Sequence, residues 1–292
     1  MSQAVENWET LGARRSVRGR DIFVVDFDPT GVPAGDPILI LHGFPSSSFD
    51  WRAVVPALSQ HRRVVALDML GYGLSDKPDI AYSLFEQADI VEGVATSLGF
   101  DRVALITHDM GDSVGGELLA RSLDGTLPFE ISRRVITNGS IYMDLVELSV
   151  GQQLMLALPD ARLEAESAPT AELIKGSLAA TFAAEHAPDR EELQAQWELI
   201  ARRDGHRLLP RLIRYVEERR IHEKRWTGAI EGHGSPLGIV WGERDPIAVI
   251  AMAHRLARMR PDATFAVLED VGHYPMIEAP ARTANAIMVA LG

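Results

Sequence analysis

The chain has 292 residues, 46% of them hydrophobic, so it can bury a full-sized core as one large domain or as a domain with an insertion. The net charge of -12 argues against nucleic-acid and anionic-membrane partners, because both attract a basic protein surface. The absence of cysteine excludes disulfides, thiolate metal sites and a cysteine nucleophile.

The first residues, MSQAVENWETLGARR, are polar, and nowhere do about 18 apolar residues follow one another. We therefore expect no signal peptide and no membrane span. These features fit a cytoplasmic protein that is a monomer or a homodimer.

Seven short runs rich in β-branched and other apolar residues predict strands, at 21–28, 37–43, 62–69, 102–109, 133–140, 236–243 and 263–270. Between them, apolar residues recur at helical spacing over 85–98, 111–123, 248–259 and 281–291. Strands that alternate with helices indicate crossover connections, and therefore an α/β fold with a mostly parallel twisted sheet that helices cover on both faces.

The alternation stops between residues 141 and 226, where the chain is rich in Leu, Ala, Glu and Arg and has no strand-like run. This pattern predicts a helical cap domain over 141–226, inserted into a core formed by 1–140 and 227–292. In open α/β sheets, ligands bind at the carboxyl ends of the strands, so such an insertion is placed to cover the site. A helical appendage used for oligomerisation is the alternative.

The sequence RVALITHDMGDSVGGELLA, which begins at residue 102, predicts a strand, a sharp turn and a helix. This is the context of a nucleophile elbow, in which the nucleophile is exposed at the head of a helix and the next backbone N–H points into the site. Asp109 occupies the nucleophile position. The sequences GERDP and VGHYPMIEAP follow later strands and supply Asp245 and His273, in the order expected of a nucleophile, an acid and a histidine.

Five motifs spread over nearly the whole chain carry a family resemblance: LHGFPSSSFDW, ALDMLGYGLSDKP, THDMGD, WGERDP and GHYPMIEAP. Together they resemble the α/β-hydrolase superfamily, and within it the branch with an aspartate nucleophile, which contains epoxide hydrolases and haloalkane dehalogenases. The segments NGSIY and RYVEERRIHEKRW resemble most an epoxide-hydrolase-like subgroup that includes the mesoderm-specific transcript proteins.

A carboxylate suits this position chemically, because its reference pKa near 4 leaves it charged at neutral pH and ready to displace a leaving group at saturated carbon. Attack forms an alkyl ester of Asp109, and the resemblance implies that His273, oriented by Asp245, activates the water that hydrolyses the ester. The oxyanion hole is expected from the N–H groups of Phe44 and Met110. The further motif residues expected to line the site are His42, Gly43, Pro45 and His108.

The leaving group separates the two activities of this branch. Haloalkane dehalogenases typically place a Trp after the nucleophile and fluoroacetate dehalogenases an Arg, whereas this chain has Met110. Epoxide hydrolases instead use cap tyrosines that donate hydrogen bonds to the ring oxygen. Tyr215, in LIRYVEER, matches that region, and Tyr142 at the start of the insertion is the second candidate. We therefore predict an epoxide hydrolase that needs no cofactor and acts on a small apolar epoxide with water, with a haloalkane dehalogenase as the alternative.

Several other interpretations remain open. Asp109 could be only a helix N-cap. Asn138 or Asp144 could orient the histidine in place of Asp245. Asp112 fits a charge at a helix N-terminus better than a catalytic role, and the run EERRIHEKR reads most simply as a solvated helix face.

His42 and His108 are expected to hydrogen-bond the loop backbone. Thr107 stands where many elbows have their first glycine.

A metal site and a non-enzymatic binding pocket are two further interpretations of these residues. His108, Asp109, Asp112 and His273 offer nitrogen and oxygen atoms to a metal, but adjacent ligands on one tight turn rarely converge. A non-enzymatic protein could keep the fold as a ligand-binding pocket. The complete Asp, Asp, His set argues against that, because a receptor does not need a base beside a carboxylate.

Overall fold

Eight strands form one sheet in a computed structural model that describes residues 2–28 and 35–292. The spatial order is β1-β2-β4-β3-β5-β6-β7-β8. The strands are β1 Gly12–Val17, β2 Arg20–Phe27, β3 Ile38–Leu41, β4 Val64–Leu67, β5 Arg102–His108, β6 Glu130–Thr137, β7 Leu237–Gly242 and β8 Thr264–Leu268.

The centre of the sheet is parallel, and its first two strands are antiparallel to their neighbours. Every residue of β3 and β4 is buried, as expected for continuous apolar strands with helices on both faces. The predicted α/β class with a mostly parallel sheet is confirmed. The strand β1 was not predicted, because GARRSV is largely polar and partly exposed at the edge of the sheet.

The four predicted helices are present, with ends that differ by no more than two residues from the prediction. The α-helices are α1 Gln3–Leu11, α2 Val55–Leu58, α3 Leu84–Ser97, α4 Met110–Leu123, α5 Val150–Ala157, α6 Ala171–Ala179, α7 Arg190–Ala201, α8 Leu209–Leu212, α9 Tyr215–Gly232, α10 Ile250–Met259, α11 Pro275–Glu278 and α12 Pro280–Leu291. Short 3-10 helices cover Ser48–Ala53, Met143–Leu145, Ala165–Ser167, Ala184–His186 and Arg202–Leu208.

The segment between β6 and β7 is helical throughout its regular structure and contains α5 to α9. Its last helix, α9, packs along α4, the helix that follows β5. The Trp226 indole N–H donates to Glu117 of α4 at 2.9 Å. The predicted domain boundary at residue 226 therefore falls inside α9, whose second half is anchored to the core.

The loops that follow β3, β5, β6, β7 and β8 carry the motif residues, and parallel strands bring these loops to the same edge of the sheet. Within residues 2–28 and 35–292, no helix is both long enough and apolar enough to span a bilayer.

Candidate active site

Asp109 lies at the turn between β5 and α4, with φ 50° and ψ −112°. A non-glycine residue holds such a conformation only when its surroundings enforce it, and such residues cluster at functional sites. The side chain makes no capping hydrogen bond to α4, so the interpretation of Asp109 as only a helix N-cap is wrong. Asp109 is 1% exposed, and its carboxylate is held inside the protein.

The loop after β3 meets the Asp109 carboxylate. The Phe44 N–H donates to Asp109 Oδ2 at 2.8 Å. A Cβ at Gly43 would lie 2.7 Å from Asp109 Cβ and 2.8 Å from Oδ2, so only glycine lets the loop come this close. The Phe44 N–H therefore points at the carboxylate, and its part in an oxyanion hole stays a prediction. Met110 is the first residue of α4, where an N–H has no partner within the helix, and its part in the hole stays a prediction.

Thr107 departs from the usual glycine of an elbow, and the structure shows how it fits. Its methyl group points at Gly115 of α4, where a Cβ would lie only 2.8 Å away. One turn earlier in α4, a Cβ on Gly111 would lie 2.7 Å from the His42 carbonyl oxygen. The two glycines of α4 therefore let the helix pack closely on β5 and β3 despite the larger residue at 107.

His273 and Asp245 form a hydrogen-bonded pair, with 2.8 Å between His273 Nδ1 and Asp245 Oδ2. The other Asp245 oxygen accepts from the N–H groups of Ile247 at 2.7 Å and Ala248 at 3.0 Å. Asn138 donates to Asp245 Oδ2 at 2.7 Å, so it supports the carboxylate and does not replace it.

The other alternative partner for the histidine lies elsewhere. Asp144 forms an exposed ion pair with Arg255 at 2.8 Å. The interpretation in which Asp144 orients His273 is therefore wrong.

The loop that carries His273 is held by Glu278, which the sequence analysis did not single out. Its carboxylate accepts from the N–H groups of Gly272 at 2.7 Å, Tyr274 at 2.9 Å and Ala183 at 3.0 Å. Glu278 is the glutamate of the GHYPMIEAP motif, so the motif could have identified it as a site residue. Because Ala183 belongs to the cap segment, Glu278 also ties the cap to the histidine loop.

The charge of His273 depends on its neighbours. Burial alone would lower its pKa, but Asp245, through charge and hydrogen bond, and then the charges of Asp109 and Glu278 raise the pKa to about 9. At neutral pH the imidazole is therefore protonated. The pKa of His273 falls when Asp109 loses its charge.

His42 and His108 hydrogen-bond the backbone as expected. His42 Nε2 accepts from the Met69 N–H at 3.0 Å, which leaves the proton on Nδ1 to donate to the Gly43 carbonyl at 2.8 Å. His108 Nε2 donates to the His273 carbonyl at 2.8 Å. Burial lowers the pKa of both rings, so each acts as a neutral brace for a catalytic loop.

Asp112, three residues after Asp109, is buried in the first turn of α4. Burial raises the pKa of its carboxyl well above the usual range, and the nearby Asp109 raises it further. Asp112 lies at the helix N-terminus as predicted, but the raised pKa favours its neutral form, which interacts less with the helix dipole than an anion does.

A cavity of about 80 Å³ opens beside His273, between the core loops and the cap helices α5 and α6. None of the described residues in its wall is Asp, Glu, Lys or Arg, so it suits an uncharged, apolar compound. Asp109 itself is not in the wall, and we expect a substrate to reach it between Phe44 and His273. The wall consists of Phe44, Pro45, Ser149, Gly151, Gln152, Leu154, Met155, Pro169, Leu173, Ile174, Ser177, Leu178, Thr181, Leu209, Ile247, His273 and Tyr274.

Tyr215, the first residue of α9, is buried against the ring of Phe44, with 5.5 Å between the ring centroids. Burial and the Asp109 carboxylate raise its pKa, while Arg219 and Gln152 oppose that rise. The hydroxyl therefore keeps its proton at neutral pH, as an acid must. Asp109 is close enough to the hydroxyl to raise its pKa.

Arg219 is a site residue that the sequence analysis missed, because it lies in the charged run read as a solvated face. It is only 4% exposed. Its Nε donates to Ser113 at 2.6 Å, its Nη2 lies 3.4 Å from the Asp109 carbonyl oxygen, and its guanidinium lies 5.0 Å from the centre of the Tyr215 ring. Arg219 thus braces both the elbow and the tyrosine.

Tyr142 is not brought into this group. Its hydroxyl donates to the Glu231 carboxylate at 2.8 Å, and Arg255 stacks on its ring at 4.0 Å. The prediction of Tyr142 as a second acid therefore finds no support in the structure, and we leave it out of the site. In the described part of the chain, no cluster of three or more His, Cys, Asp or Glu residues could hold a metal ion.

An aspartate on a nucleophile elbow, beside a histidine and acid pair and under a helical cap, defines a hydrolase-type site. The profile of the alpha/beta hydrolase family matches residues 38–286, and the chain belongs to that family. Family and site together support hydrolase activity.

The individual relatives agree with this assignment. LipZ of Mycobacterium tuberculosis (strain ATCC 25618 / H37Rv) is 42% identical over 291 residues, 99% of both chains. The mesoderm-specific transcript protein of Mus musculus is 33% identical over 99% of this chain and 88% of its own. Among solved structures, the epoxide hydrolase CorEH is 19% identical with a TM-score of 0.72, over 95% of this chain and 97% of that chain. A likeness at that identity shows the fold only.

Proposed function

We propose that the protein is an epoxide hydrolase that converts an apolar epoxide to a vicinal diol through an ester on Asp109. The observation that carries the proposal is the constellation at the elbow. A carboxylate occupies the nucleophile position, the Phe44 N–H holds one of its oxygens at 2.8 Å, and a protonated tyrosine lies within its electrostatic reach. Serine chemistry is not available at an aspartate, and a carboxylate is a competent nucleophile for saturated carbon.

In the first step, an Asp109 oxygen attacks a ring carbon, and the bond between that carbon and the epoxide oxygen breaks. The electron pair stays on the oxygen, which takes the proton of the Tyr215 hydroxyl. The product is a hydroxyalkyl ester of Asp109. No base is required in this step, so the protonated state of His273 does not block it.

Ester formation then prepares the base for the second step. The ester removes the negative charge of Asp109, one of the charges that keep the pKa of His273 near 9. The imidazole becomes a weaker base and gives up its proton, which restores the Tyr215 hydroxyl from the phenolate left by the first step. Neutral His273 can then deprotonate a water. The hydroxide adds to the ester carbonyl, and the Phe44 N–H holds the resulting oxyanion. The acyl–oxygen bond then breaks, and the departing alkoxide takes the proton of the new Asp109 carboxyl group, so that the diol is released and the carboxylate is restored.

The cavity favours an epoxide over a halide as the leaving group. A departing halide needs fixed N–H donors, typically indoles, and no tryptophan is among the described residues of the cavity wall. An epoxide oxygen becomes an alkoxide and needs a proton, which Tyr215 can give.

The test is a trapped intermediate. His273→Gln should form the ester but hydrolyse it slowly, so that intact-mass spectrometry shows a stoichiometric adduct after exposure to an epoxide that the wild type hydrolyses, such as styrene oxide. The adduct should map to the peptide that contains Asp109. Turnover by the wild type together with an unmodified His273→Gln protein would count against the covalent mechanism.

A further inference from the structure

Gln152 has an orientation that the helix cap fixes. It is the third residue of α5. Its side-chain Oε1 accepts from the Ser149 backbone N–H at 2.9 Å, and its backbone N–H donates to Ser149 Oγ at 3.2 Å. This reciprocal pair is a capping box. Because Oε1 is committed to Ser149, the two N–H bonds of Nε2 are left for other partners.

The same side chain lies at the cavity and beside the acid. Gln152 is in the cavity wall together with Phe44 and His273. It also lowers the pKa of the Tyr215 phenol, against the larger effects of burial and Asp109. A donor that stabilises the phenolate has this effect, which agrees with Nε2 facing Tyr215.

Two other polar groups of the wall are already engaged. The Thr181 hydroxyl donates to the Leu178 carbonyl at 2.7 Å. His273 Nδ1 is paired with Asp245. With the Tyr142 hydroxyl bound to Glu231, Tyr215 is the one of the two predicted cap tyrosines that remains at the site, whereas a ring oxygen with two lone pairs can accept two hydrogen bonds.

We propose that Nε2 of Gln152 donates the second hydrogen bond to the epoxide oxygen, so that the acid of this site is a tyrosine and glutamine pair. The inference rests on the proposed epoxide hydrolase function. As Asp109 attacks and the carbon–oxygen bond breaks, Tyr215 transfers its proton to the departing oxygen. Gln152 stabilises the developing charge without giving up a proton, because its amide does not ionise.

A pair of substitutions separates this catalytic role from the cap. Gln152→Glu keeps an acceptor for the Ser149 N–H, so the capping box survives, but it has no N–H to offer. Gln152→Leu removes both functions. Gln153→Leu makes the same change one residue along α5, at an exposed side chain that bonds only the Leu148 carbonyl among its described contacts, and is the matched control.

The measurement is single-turnover rapid quench with styrene oxide and excess enzyme, which resolves ester formation from ester hydrolysis. Both Gln152 variants should slow ester formation by about 10²-fold, as expected for a lost donor at a developing oxyanion, with hydrolysis changed less than about threefold. Gln153→Leu should match the wild type. Normal ester formation in Gln152→Glu, or a loss in Gln152→Leu alone, would reduce Gln152 to a helix cap and overturn the proposal.

A binding measurement separates failure of this inference from failure of the proposed function. Hexanamide offers a carbonyl oxygen to the donor pair and has no bond that the site can open. Calorimetry should show weaker binding by about 2–10-fold in Gln152→Glu and in Tyr215→Phe, and no change in Gln153→Leu. If the wild type hydrolyses no epoxide but the amide series behaves in this way, the function is wrong and the donor pair stands. Unchanged amide binding in Gln152→Glu, with normal epoxide turnover, would reject the donor pair alone.

Discussion

Replacing Asp109 by Asn should make His273 a weaker base before any substrate is bound. The amide has nearly the shape of the carboxylate and, like the ester intermediate, carries no charge. In the wild type, the pKa of His273 is raised from 6.5 to about 9, first by Asp245 and then by Asp109 and Glu278, against the effect of burial. That difference is worth about 3 kcal/mol in favour of the imidazolium, and the Asp109 share of it disappears in the variant.

The assay is an NMR titration of the His273 ring in wild type and variant between pH 5 and 10. The control is Asp112→Asn, which alters a buried carboxyl near the same ring. Burial raises the pKa of Asp112 well above its usual range and so favours its neutral form, and its loss should shift the midpoint of His273 much less than the loss of Asp109 does. The fall of the midpoint should therefore be larger in Asp109→Asn.

The same argument fixes the pH dependence of the two chemical steps. Ester hydrolysis needs neutral His273, so its rate should rise with pH through a midpoint below 9. Ester formation needs protonated Tyr215, whose pKa lies above its usual range, and should stay flat between pH 6 and 9. An unchanged His273 midpoint in Asp109→Asn would refute the idea that the ester switches the base on.

Three further changes have defined outcomes. In Gly43→Ala, the new Cβ lies 2.7 Å from Asp109 Cβ, so ester formation should fall at least about 10²-fold in a protein that still unfolds cooperatively in urea. Burial raises the pKa of Asp50 to about 7, so the folded state keeps a proton that the unfolded chain loses and stability falls as pH rises from about 4 to 7. Asp50→Asn should remove that slope and raise the unfolding free energy at pH 8 by up to about 4 kcal/mol, as urea titrations at pH 4 and 8 would show. Arg219→Met should lower the unfolding free energy by about 1–3 kcal/mol and slow ester formation about tenfold, whereas Arg220→Met, at an exposed neighbour, should change neither. Equal effects of the two arginine variants would remove Arg219 from the site.

The elbow and the histidine pair could be predicted from sequence because each depends on a short segment. Seven of the eight strands contain a short apolar run, and parallel pairing brings the residues that follow β3, β5, β6, β7 and β8 to one edge of the sheet. Asp109, Asp245 and His273 could therefore be placed without knowing any contact. The strand β1 escaped because an exposed edge strand needs no apolar run.

The cap residues could not be placed in this way, because their environments depend on distant partners. Tyr142 is fixed by Glu231, 89 residues further along the chain. The run of charges around Arg219 suggests a solvated side chain, yet Arg219 is buried and donates to Ser113 of α4. Nothing within 10 residues of either side chain indicates which way it points.

Gln152 illustrates the intermediate case. The pattern SVGQ, residues 149–152, is a capping box that could be read from the sequence. What could not be read is that Gln152 lines the cavity together with Phe44 and His273, because these residues meet only when the cap packs on the core. The local sequence pattern predicts the cap of α5, whereas the position of Gln152 at the cavity depends on tertiary packing.

The most direct test of the account is one turnover of an epoxide in H₂¹⁸O with enzyme in excess, followed by mass spectrometry of the Asp109 peptide and of the diol. The account predicts that one ¹⁸O enters the carboxylate of Asp109, because water attacks the ester carbonyl, and that the diol of that turnover carries none. Label in the diol with an unlabelled Asp109 would mean that water attacks the epoxide directly, and would contradict the account.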